Sequence, residues 1–486
     1  MENIVTEKSK QLGIILSGSF AGFMVLLDGN IVNVSLPYIA KYFNIGTSYV
    51  VQITLVYLLI LSGVMIIVGK LADRTGLKKI FIWGFVIFTI SSLLCGLSPY
   101  FSILILARAI QAVGGAMLFS TAVALIPKFI PAEKRGWGFG ILSPINSLGL
   151  LVGAPLGGLI TDFLNWHWIF LVNVPIGIIA IIVAKKVIPD DTILKDDQRN
   201  KPRFDYLGSI LSFLGLTLLV FFLNQGRKIG WTSPIVIGGL GTAILLLVLF
   251  YLREKKAPDP VLELTIFKNK NFSLGILASF LGFGLMTGSS VLMPFYLTYI
   301  LHISVAQSGF ILMTFALIFS ILSPVTGRLS DHISKTRLTS AGMVLAIISC
   351  LFFLFFLPRM HLVVVVSFLA MMGLSYAFFI TPNNNLVMSL APSGKQSISS
   401  SIFKLSTNLG QLCGVLVMET MFTLCLPGQV HSTASQLQKA TNETLLSGFQ
   451  YSYMGGCALV SLALLVSLFI KDTSAPGVVA EEPHFL

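Results

Sequence analysis

Charged residues are scarce in this sequence of 486 residues. Asp, Glu, Lys and Arg make up 11% of the chain, less than half of the roughly 25% that is typical of soluble domains. By contrast, 55% of the residues are hydrophobic and the mean hydropathy is +0.88. So few charges could not cover so large an apolar fraction in water. The composition therefore excludes an ordinary cytosolic enzyme and indicates an integral membrane protein.

Cysteine is also scarce, and the motifs of several enzyme classes are absent. The five cysteines form no CxxC pair, and four of them fall inside apolar runs, so neither a disulfide framework nor a zinc site is expected. The sequence lacks G-x-x-x-x-G-K-[ST], which excludes an ATP-driven pump of the P-loop type, and it lacks H-E-x-x-H. We expect no catalytic residue, no metal and no cofactor, and the chain is not predicted to be an enzyme.

Long apolar runs are abundant and predict fourteen transmembrane helices. The runs are about 20 residues long and unbroken, which favours helices over the alternating strands of a membrane barrel. The predicted spans are 11–38, 47–69, 79–98, 101–127, 136–162, 167–187, 205–223, 232–252, 272–300, 305–327, 337–358, 361–387, 398–422 and 447–470.

Basic residues are distributed unevenly between the two sides of these spans. An even number of spans places both termini on one side, and 25 of the 32 Lys and Arg residues lie there. The opposite loops hold five, and Arg108 and Lys404 lie inside spans. This bias predicts cytoplasmic termini in a cell membrane, and a prokaryotic inner or cytoplasmic membrane is favoured. It also explains the net charge of +12 by topology and contact with membrane lipids, without a nucleic-acid partner.

One sequence segment occurs twice. Residues 69–79 read GKLADRTGLKK, and residues 327–337, which start 258 positions later, read GRLSDHISKTR. The repeat predicts a duplication in which spans 1–6 match spans 9–14, with spans 7 and 8 inserted. Parallel repeats of this kind are a transporter architecture, with the substrate bound at their interface.

The repeat and the charged breaks together predict the organisation of the chain. It consists of a six-helix bundle over 1–187, a cytoplasmic linker over 188–204, two inserted helices over 205–252, a second linker over 253–271, a second six-helix bundle over 272–470 with an outer loop over 423–446, and a cytoplasmic tail over 471–486.

Five motifs, one of which occurs twice, resemble those of the major facilitator superfamily, specifically its fourteen-helix drug–proton antiporter branch. They are LDGNIVNVSLP at 27–37, the two repeated G-x-L-x-D segments, RAIQAVGGA at 108–116, GLLVGAPLGG at 149–158 and WHWIFLVNVPIG at 166–177. The sequence departs from the family pattern at Ala112, which replaces a glycine, at Pro155, which lies one residue late, and at His167, which replaces an arginine.

The resemblance implies an all-α major facilitator fold, with two pseudo-symmetric six-helix bundles and two inserted helices. It also implies a monomer that exports amphipathic, possibly cationic, drugs by alternating access, with protons as the coupled ion and the proton gradient as energy source. An exporter of one endogenous solute, such as a lipid, a siderophore or a metabolite, is the main alternative. A non-transporting receptor or scaffold is a more distant one.

Three ionisable residues within spans are candidates for proton coupling. A carboxylate in a span costs at least about 2.5–3.5 kcal/mol, so Asp28 is expected to be a functional proton acceptor facing a central cavity. The alternative is a buried acid that is hydrogen-bonded across helices. The resemblance implies that Arg108 lies near this acid and modulates its protonation, although it could instead bind only backbone carbonyls. Glu419 is either a second buried site, titrating or attracting a cation, or a solvated helix end.

Two glycine-containing motifs are candidates for roles in the conformational change, one as a gating motif and one as the antiporter motif that the resemblance implies. The repeated segment contributes Gly69, Asp73, Arg74, Gly76, Gly327 and Asp331. Its glycines are expected at tight turns, and Asp73 is expected to face a helix N-terminus and an arginine, holding the cytoplasmic side shut. The second motif contributes Gly149, Gly153, Pro155, Gly157 and Gly158. Its glycines predict one small face that seals against the other half, or else packs within its own half.

The substrate site is predicted from the spans that pseudo-symmetry brings towards the central axis. Polar, aromatic and methionine side chains there could contact varied apolar shapes. The candidates are Asp28, Gln52, Tyr57, Asn146, Met286, Tyr296, Phe379 and Asn385.

Overall fold

A computed structural model describes residues 4–471 apart from 6, 191–204, 231, 258–259, 261, 263, 392–395 and 426–440. All regular structure in these ranges is helical. The α-helices are α1 (Lys8–Phe43), α2 (Thr47–Val50), α3 (Gln52–Thr75), α4 (Leu77–Gly96), α5 (Phe101–Phe129), α6 (Arg135–Phe163), α7 (Trp168–Leu171), α8 (Asn173–Val187), α9 (Tyr206–Ile229), α10 (Pro234–Glu254), α11 (Lys270–Tyr299), α12 (Val305–His332), α13 (Lys335–Phe356), α14 (Leu362–Ser389), α15 (Gln396–Leu424) and α16 (Asn442–Leu468).

The helices confirm the prediction of an all-helical membrane protein. Each of the fourteen predicted spans coincides with one helix or with two consecutive ones. Within the described ranges, 13 segments are long and apolar enough to cross a membrane. The exception is α15, which has 29 residues but begins with the polar run QSISSS. Most of the linker 188–204, the centre of the outer loop 423–446 and nearly all of the tail 471–486 lie outside the described residues.

The hydrogen-bond ladder of the sixth span is interrupted at Val172, between α7 and α8, although the backbone there keeps helical angles (φ −60°, ψ −28°). Pro175 lies in the first turn of α8 and has no backbone N–H, so the carbonyl of Leu171 loses its helical donor. The break places Asn173 at the first position of α8, against α1.

The repeated segment 69–79 lies mainly on a helix rather than in a loop. Helix α3 continues through Gly69 to Thr75, and the turn into α4 lies at Gly76, whose φ of 102° suits glycine. Turn formation is therefore the role of Gly76 alone. A Cβ at Gly69 would lie 3.5 Å from the Ser120 hydroxyl, which is an ordinary contact.

The chain forms two compact units, each with its own packing. Unit 1 contains Met1–Leu262, Ser289–Met313 and Glu419–Tyr451. In it, α1 packs along α5 and α6, α4 packs on α5 and α8, and α9, which pairs with α10, contacts α3. Phenylalanines 81, 85 and 88 of α4 are fully buried in its largest apolar cluster.

Unit 2 contains Glu263–Gly288, Thr314–Met418 and Ser452–Leu486. Its helices α13 and α14 pair along their length. Helix α11 crosses α15 at Gly284 and Gly414. A Cβ at Gly414 would overlap the carbonyl oxygen of Gly284, and a Cβ at Gly284 would lie 3.2 Å from Gly414 Cα. Such close contact between backbones is characteristic of helix packing in lipid.

Candidate proton-coupling site and outer contact

Asp28 lies near the middle of α1 with no solvent exposure, and three side chains donate hydrogen bonds to its carboxylate. Arg108 Nη1 lies 2.5 Å from Asp28 Oδ2. Oδ1 accepts from Gln111 Nε2 at 3.0 Å and from Asn173 Nδ2 at 2.9 Å. Arg108 and Gln111 come from α5, and Asn173 comes from α8. The carboxylate therefore ties three helices of unit 1 together.

A second layer of contacts fixes Arg108 and Gln111. Gln111 Oε1 accepts from Arg108 Nη1 at 2.6 Å, and Gln111 Nε2 also donates to Ser92 Oγ at 2.8 Å. The Arg108 guanidinium carbon lies 4.2 Å from the centre of the Tyr57 ring. This is a cation–π contact, which strengthens when both groups are desolvated. The aromatic face holds the arginine in place without neutralising Asp28.

The geometry of Asp28 is that of a buried acid hydrogen-bonded across helices, rather than of an acid that faces a cavity. Arg108 is its ionic partner, so the alternative in which this arginine binds only backbone carbonyls does not hold. A buried ion pair repays its desolvation only when geometry is good and the remaining atoms are hydrogen-bonded. Asp28 itself has no contact with solvent in this conformation.

Sequence reasoning did not assign Gln111 or Asn173 to this site. The sequence could have indicated Gln111, because it follows Arg108 by three positions and residues three apart are neighbours on a helix. Asn173 had a weaker one, an amide in an apolar span two residues before Pro175. Its partner lies 145 positions away, so only the fold brings the two together.

Glu419 lies on α15 with no solvent exposure and belongs to unit 1. It is therefore not the solvated helix end that was the alternative prediction. Its backbone carbonyl accepts from the Thr423 hydroxyl at 3.1 Å.

The antiporter-like motif of α6 has two faces, whereas one was predicted. Gly149, Gly153 and Gly157 face α1, where a Cβ would lie 2.6 Å from Phe23 O, 2.7 Å from Asn30 Cβ and 2.8 Å from Ile31 Cα, respectively. This stripe packs within the predicted first half. Gly158 instead faces α12, where a Cβ would overlap the carbonyl of Val305.

Several further contacts join α6 to α12 around Gly158. Gly309 of α12 faces back, so that a Cβ there would overlap the carbonyl of Ala154 and lie 3.0 Å from Pro155 Cα. Asp162 Oδ2 accepts from the backbone N–H of Ala306, in the first turn of α12, at 2.9 Å. That N–H is one of the helix-terminal donors that α12 cannot satisfy internally. A carboxylate of α6 thus caps α12.

The same contact extends to α1 and α11. Asn33 Nδ2 donates to Ser290 Oγ at 3.2 Å, and Asn33 Oδ1 accepts from Thr54 Oγ1 at 2.9 Å. Val34, Ala154 and Val305 form a small apolar cluster beside it. We call this set the outer contact, because the predicted topology places it on the side opposite the termini. It consists of Asn33, Val34, Ala154, Gly158, Asp162, Ser290, Val305, Ala306 and Gly309.

The remaining gating residues lie at helix ends. Arg74 is half-buried in the last turn of α3, and the side chain of Asp73 lies outside the described part of the structure. A Cβ at Gly327 would lie 3.3 Å from Thr381, and Asp331 is exposed near the end of α12. Lys70 Nζ donates to the carbonyl of Pro260, which ties α3 to the segment after α10.

The predicted substrate residues are divided between the units. In unit 1, Gln52 is half-buried at the start of α3, and Tyr57 is buried beneath Arg108. Asn146 lies against Gly22, and the Tyr296 ring is buried 5.2 Å from that of Phe449. Of these residues, Tyr57 alone joins the Asp28 site.

The other three belong to unit 2. Met286 is half-buried, Phe379 is buried with its ring 5.7 Å from that of Phe283, and Asn385 Nδ2 donates to Ser330 Oγ at 2.8 Å. Among the described residues, no group of three His, Cys, Asp or Glu side chains could hold a metal ion.

Comparisons with known proteins agree with this architecture. The riboflavin transporter RibZ of Clostridioides difficile is 29% identical over 447 residues, which cover 92% of this chain and 94% of RibZ. The lincomycin resistance protein LmrB of Listeria monocytogenes is 28% identical over 480 residues, covering 96% of this chain and 98% of LmrB. A solved bacterial homologue of the human lysosomal transporter Spinster, inward-facing and occupied, superposes with a TM-score of 0.67 at 15% identity, covering 97% of this chain and 100% of that one.

The helical spans and these likenesses define a multi-pass membrane transporter, and its bacterial relatives point to the plasma membrane. The family model of the Major Facilitator Superfamily matches residues 18–415. The chain belongs to that superfamily.

Proposed function

We propose that this transporter is a proton-coupled exporter of amphipathic small molecules and belongs to the fourteen-helix drug–proton antiporter branch. The observation that carries the proposal is the Asp28–Arg108 pair, buried within α1 and α5 and hydrogen-bonded on both carboxylate oxygens. Burial of an ionisable pair at this depth costs free energy, and ionisable residues inside membrane spans are therefore usually functional. Protonation of Asp28 would weaken its hold on Arg108 and thereby loosen α1 from α5.

The outer contact is proposed to control the second step of transport, release of the substrate to the outside, which follows protonation of Asp28. It joins α1 and α6 to α11 and α12 through backbone approach at Gly158 and Gly309 and through the cap that Asp162 provides. Release of a substrate to the outside requires this contact to open. A small number of weak polar bonds over a close glycine crossing suits an interface that must open and close repeatedly.

The relative LmrB supports a drug as the exported compound, since it is named for lincomycin resistance. A second candidate function is transport of one endogenous solute, and the relative RibZ, named as a riboflavin transporter, favours it. The buried pair fits both candidates, because it concerns the driving ion rather than the cargo.

Reconstitution of the full chain into proteoliposomes with an internal pH dye tests the proposal. Lincomycin, riboflavin and a panel of amphipathic cations are supplied one at a time under an imposed pH gradient. We expect at least one compound to move against proton flow in the wild type and not in Asp28→Asn. Glu443→Gln, which neutralises an exposed acid in the first turn of α16, is the matched control and should behave like the wild type.

The panel also separates the two candidates. Transport of several unrelated compounds supports a drug exporter, and transport of riboflavin alone supports a single-solute transporter. Proton movement that is equal in Asp28→Asn and the wild type would refute coupling at this residue.

A further inference from the structure

The two amide side chains that bind Asp28 differ in how firmly they are held. Gln111 is fully engaged: Nε2 donates to Asp28 Oδ1 and Ser92 Oγ, while Oε1 accepts from Arg108 Nη1. Asn173 donates Nδ2 to Asp28 Oδ1, but its own Oδ1 is buried and has no hydrogen-bond partner among the described residues. Asn173 therefore has an unused acceptor beside the carboxylate.

The unused acceptor matters when Asp28 takes up a proton. All three partners of the carboxylate are donors, and a protonated carboxyl needs an acceptor for its O–H. Arg108 has no acceptor atom at all. Rotation of the Gln111 amide would point its NH₂ group at the Arg108 donor, and its oxygen could accept from Ser92 only if that hydroxyl gave up its bond to the Phe88 carbonyl. Neither of these partners can serve the protonated acid.

Asn173 can serve it by a half-turn of its amide about the Cβ–Cγ bond. The final torsion of asparagine is broad and roughly two-fold, so the turn needs no change of the backbone. It exchanges Nδ2 for Oδ1 next to Asp28 and converts a donor into an acceptor. Asn173 lies at the start of α8, and its side chain reaches Asp28 of α1.

We infer that Asn173 is the positioning residue of the proton site, donating to the Asp28 carboxylate and, after its amide turns, accepting from the protonated acid. The inference rests on the proposed function of Asp28. The Asp28 carboxyl group is then hydrogen-bonded in both charge states, and its proton has an acceptor when the acid is neutral. The other titratable groups next to the cluster are Arg108, the Tyr57 phenol and the Cys95 thiol, which lies 3.8 Å from Gln111 Oε1.

Infrared difference spectroscopy of the purified full chain tests this role without a substrate. A protonated buried carboxyl gives a C=O stretching band, and the band that disappears in Asp28→Asn belongs to Asp28. Titration of that band gives the midpoint pH at which Asp28 takes up its proton. Asn173→Leu, which has the same branching at Cγ but is apolar, removes both the donor and the acceptor.

We expect the Asn173→Leu midpoint to move to higher pH by about half to one unit, because the bond to the charged carboxylate is the stronger of the two that are lost. The band itself should also change wavenumber, since the acid loses its acceptor. The matched control is Asn383→Leu, because Asn383 is equally buried and donates to the neutral Ser279 hydroxyl at 2.7 Å. Asn383→Leu should leave the midpoint pH and the wavenumber of the Asp28 band unchanged.

An Asp28 band with the same midpoint and wavenumber in Asn173→Leu and the wild type would overturn the inference while leaving the proposed function intact. Absence of any titrating band that Asp28→Asn removes would overturn the proposed function and this inference with it. If Asn173→Leu does not fold, the smaller Asn173→Val carries the same expectations.

Discussion

Asp28 of α1 and Arg108 of α5 share a hydrogen bond of 2.5 Å at a site where neither side chain is more than 1% exposed. The two residues are 80 positions apart in the chain. The arginine is held from above by the Tyr57 ring and the carboxylate from the side by two amides. The pair is thus part of the packing of unit 1. Protonation of Asp28 would therefore alter the contacts between α1 and α5.

The first prediction concerns the stability of this pair. Arg108→Leu should lower the free energy of unfolding by about 3–5 kcal/mol, because it leaves a buried carboxylate without its ionic partner. Addition of Asp28→Leu should restore most of that loss, since replacing both charges with apolar side chains is often neutral. Thermal unfolding in detergent measures both variants. A double variant that is less stable than the single one would contradict the account of a mutually dependent pair.

The second prediction concerns the glycine stripe that faces α1. Gly153→Leu should insert side-chain atoms where Asn30 Cβ and the Leu27 carbonyl already lie, at a cost of about 1–3 kcal/mol or more. Transport should fall while membrane insertion, which depends on hydrophobicity, is retained. Gly140→Leu on the same helix is the control, because a Cβ there meets nothing within 4 Å. Equal transport rates in the two variants would show that the stripe is not a tight contact.

The third prediction concerns the cap that Asp162 provides to α12. Asp162→Ala removes the acceptor of the Ala306 N–H and should shift the population towards forms with an open outer contact by about two- to five-fold. A single cysteine at Ser290, introduced after the five native cysteines are replaced, should then label faster from outside. Ser304→Ala is the comparison, because Ser304 caps α12 from within its own chain segment at Gln307 N. Faster labelling in Ser304→Ala but not in Asp162→Ala would show that the cap from Asp162 does not hold the outer contact closed.

The fourth prediction separates two glycines of one motif. Gly76→Ala should destabilise the protein by about 1–3 kcal/mol, since φ at this position is 102° and a side chain is strained there. Gly69→Ala should be neutral or stabilise α3 by up to about 1 kcal/mol, because Gly69 is inside the helix and has room for a methyl group. Melting temperatures of the two variants decide between this assignment and a turn at both glycines, in which case both substitutions would destabilise.

Apolar runs and charged breaks are sufficient to predict the helices of this chain. The physical reason is that a bilayer demands long apolar segments with internal backbone hydrogen bonds. Hydropathy was least informative at α15, whose polar first turns lower its average, and it gave no sign of the break at Val172. That break follows from Pro175, a local cue that a search for long runs does not use.

The site was less accessible to prediction than the fold. Charged side chains inside membrane spans are rare because their insertion costs free energy, so Asp28 and Arg108 can be recognised from the sequence. Asn173 does not, since an amide in a span is common and its partner is set by the packing of α8 on α1. Likewise, a glycine pattern indicates a small face but not its partner, and Gly157 and Gly158 face different helices although they are adjacent.

We propose that Asp28 couples protons to transport rather than merely supporting the fold. The most direct test compares two activities of Asp28→Asn in proteoliposomes, using the compound that the wild type transports. One is accumulation driven by a pH gradient, and the other is exchange of labelled for unlabelled compound without a gradient, which needs no net proton movement. We predict that accumulation is lost while exchange persists. Accumulation at the wild-type rate, or parallel loss of both activities, would rule out proton coupling at Asp28.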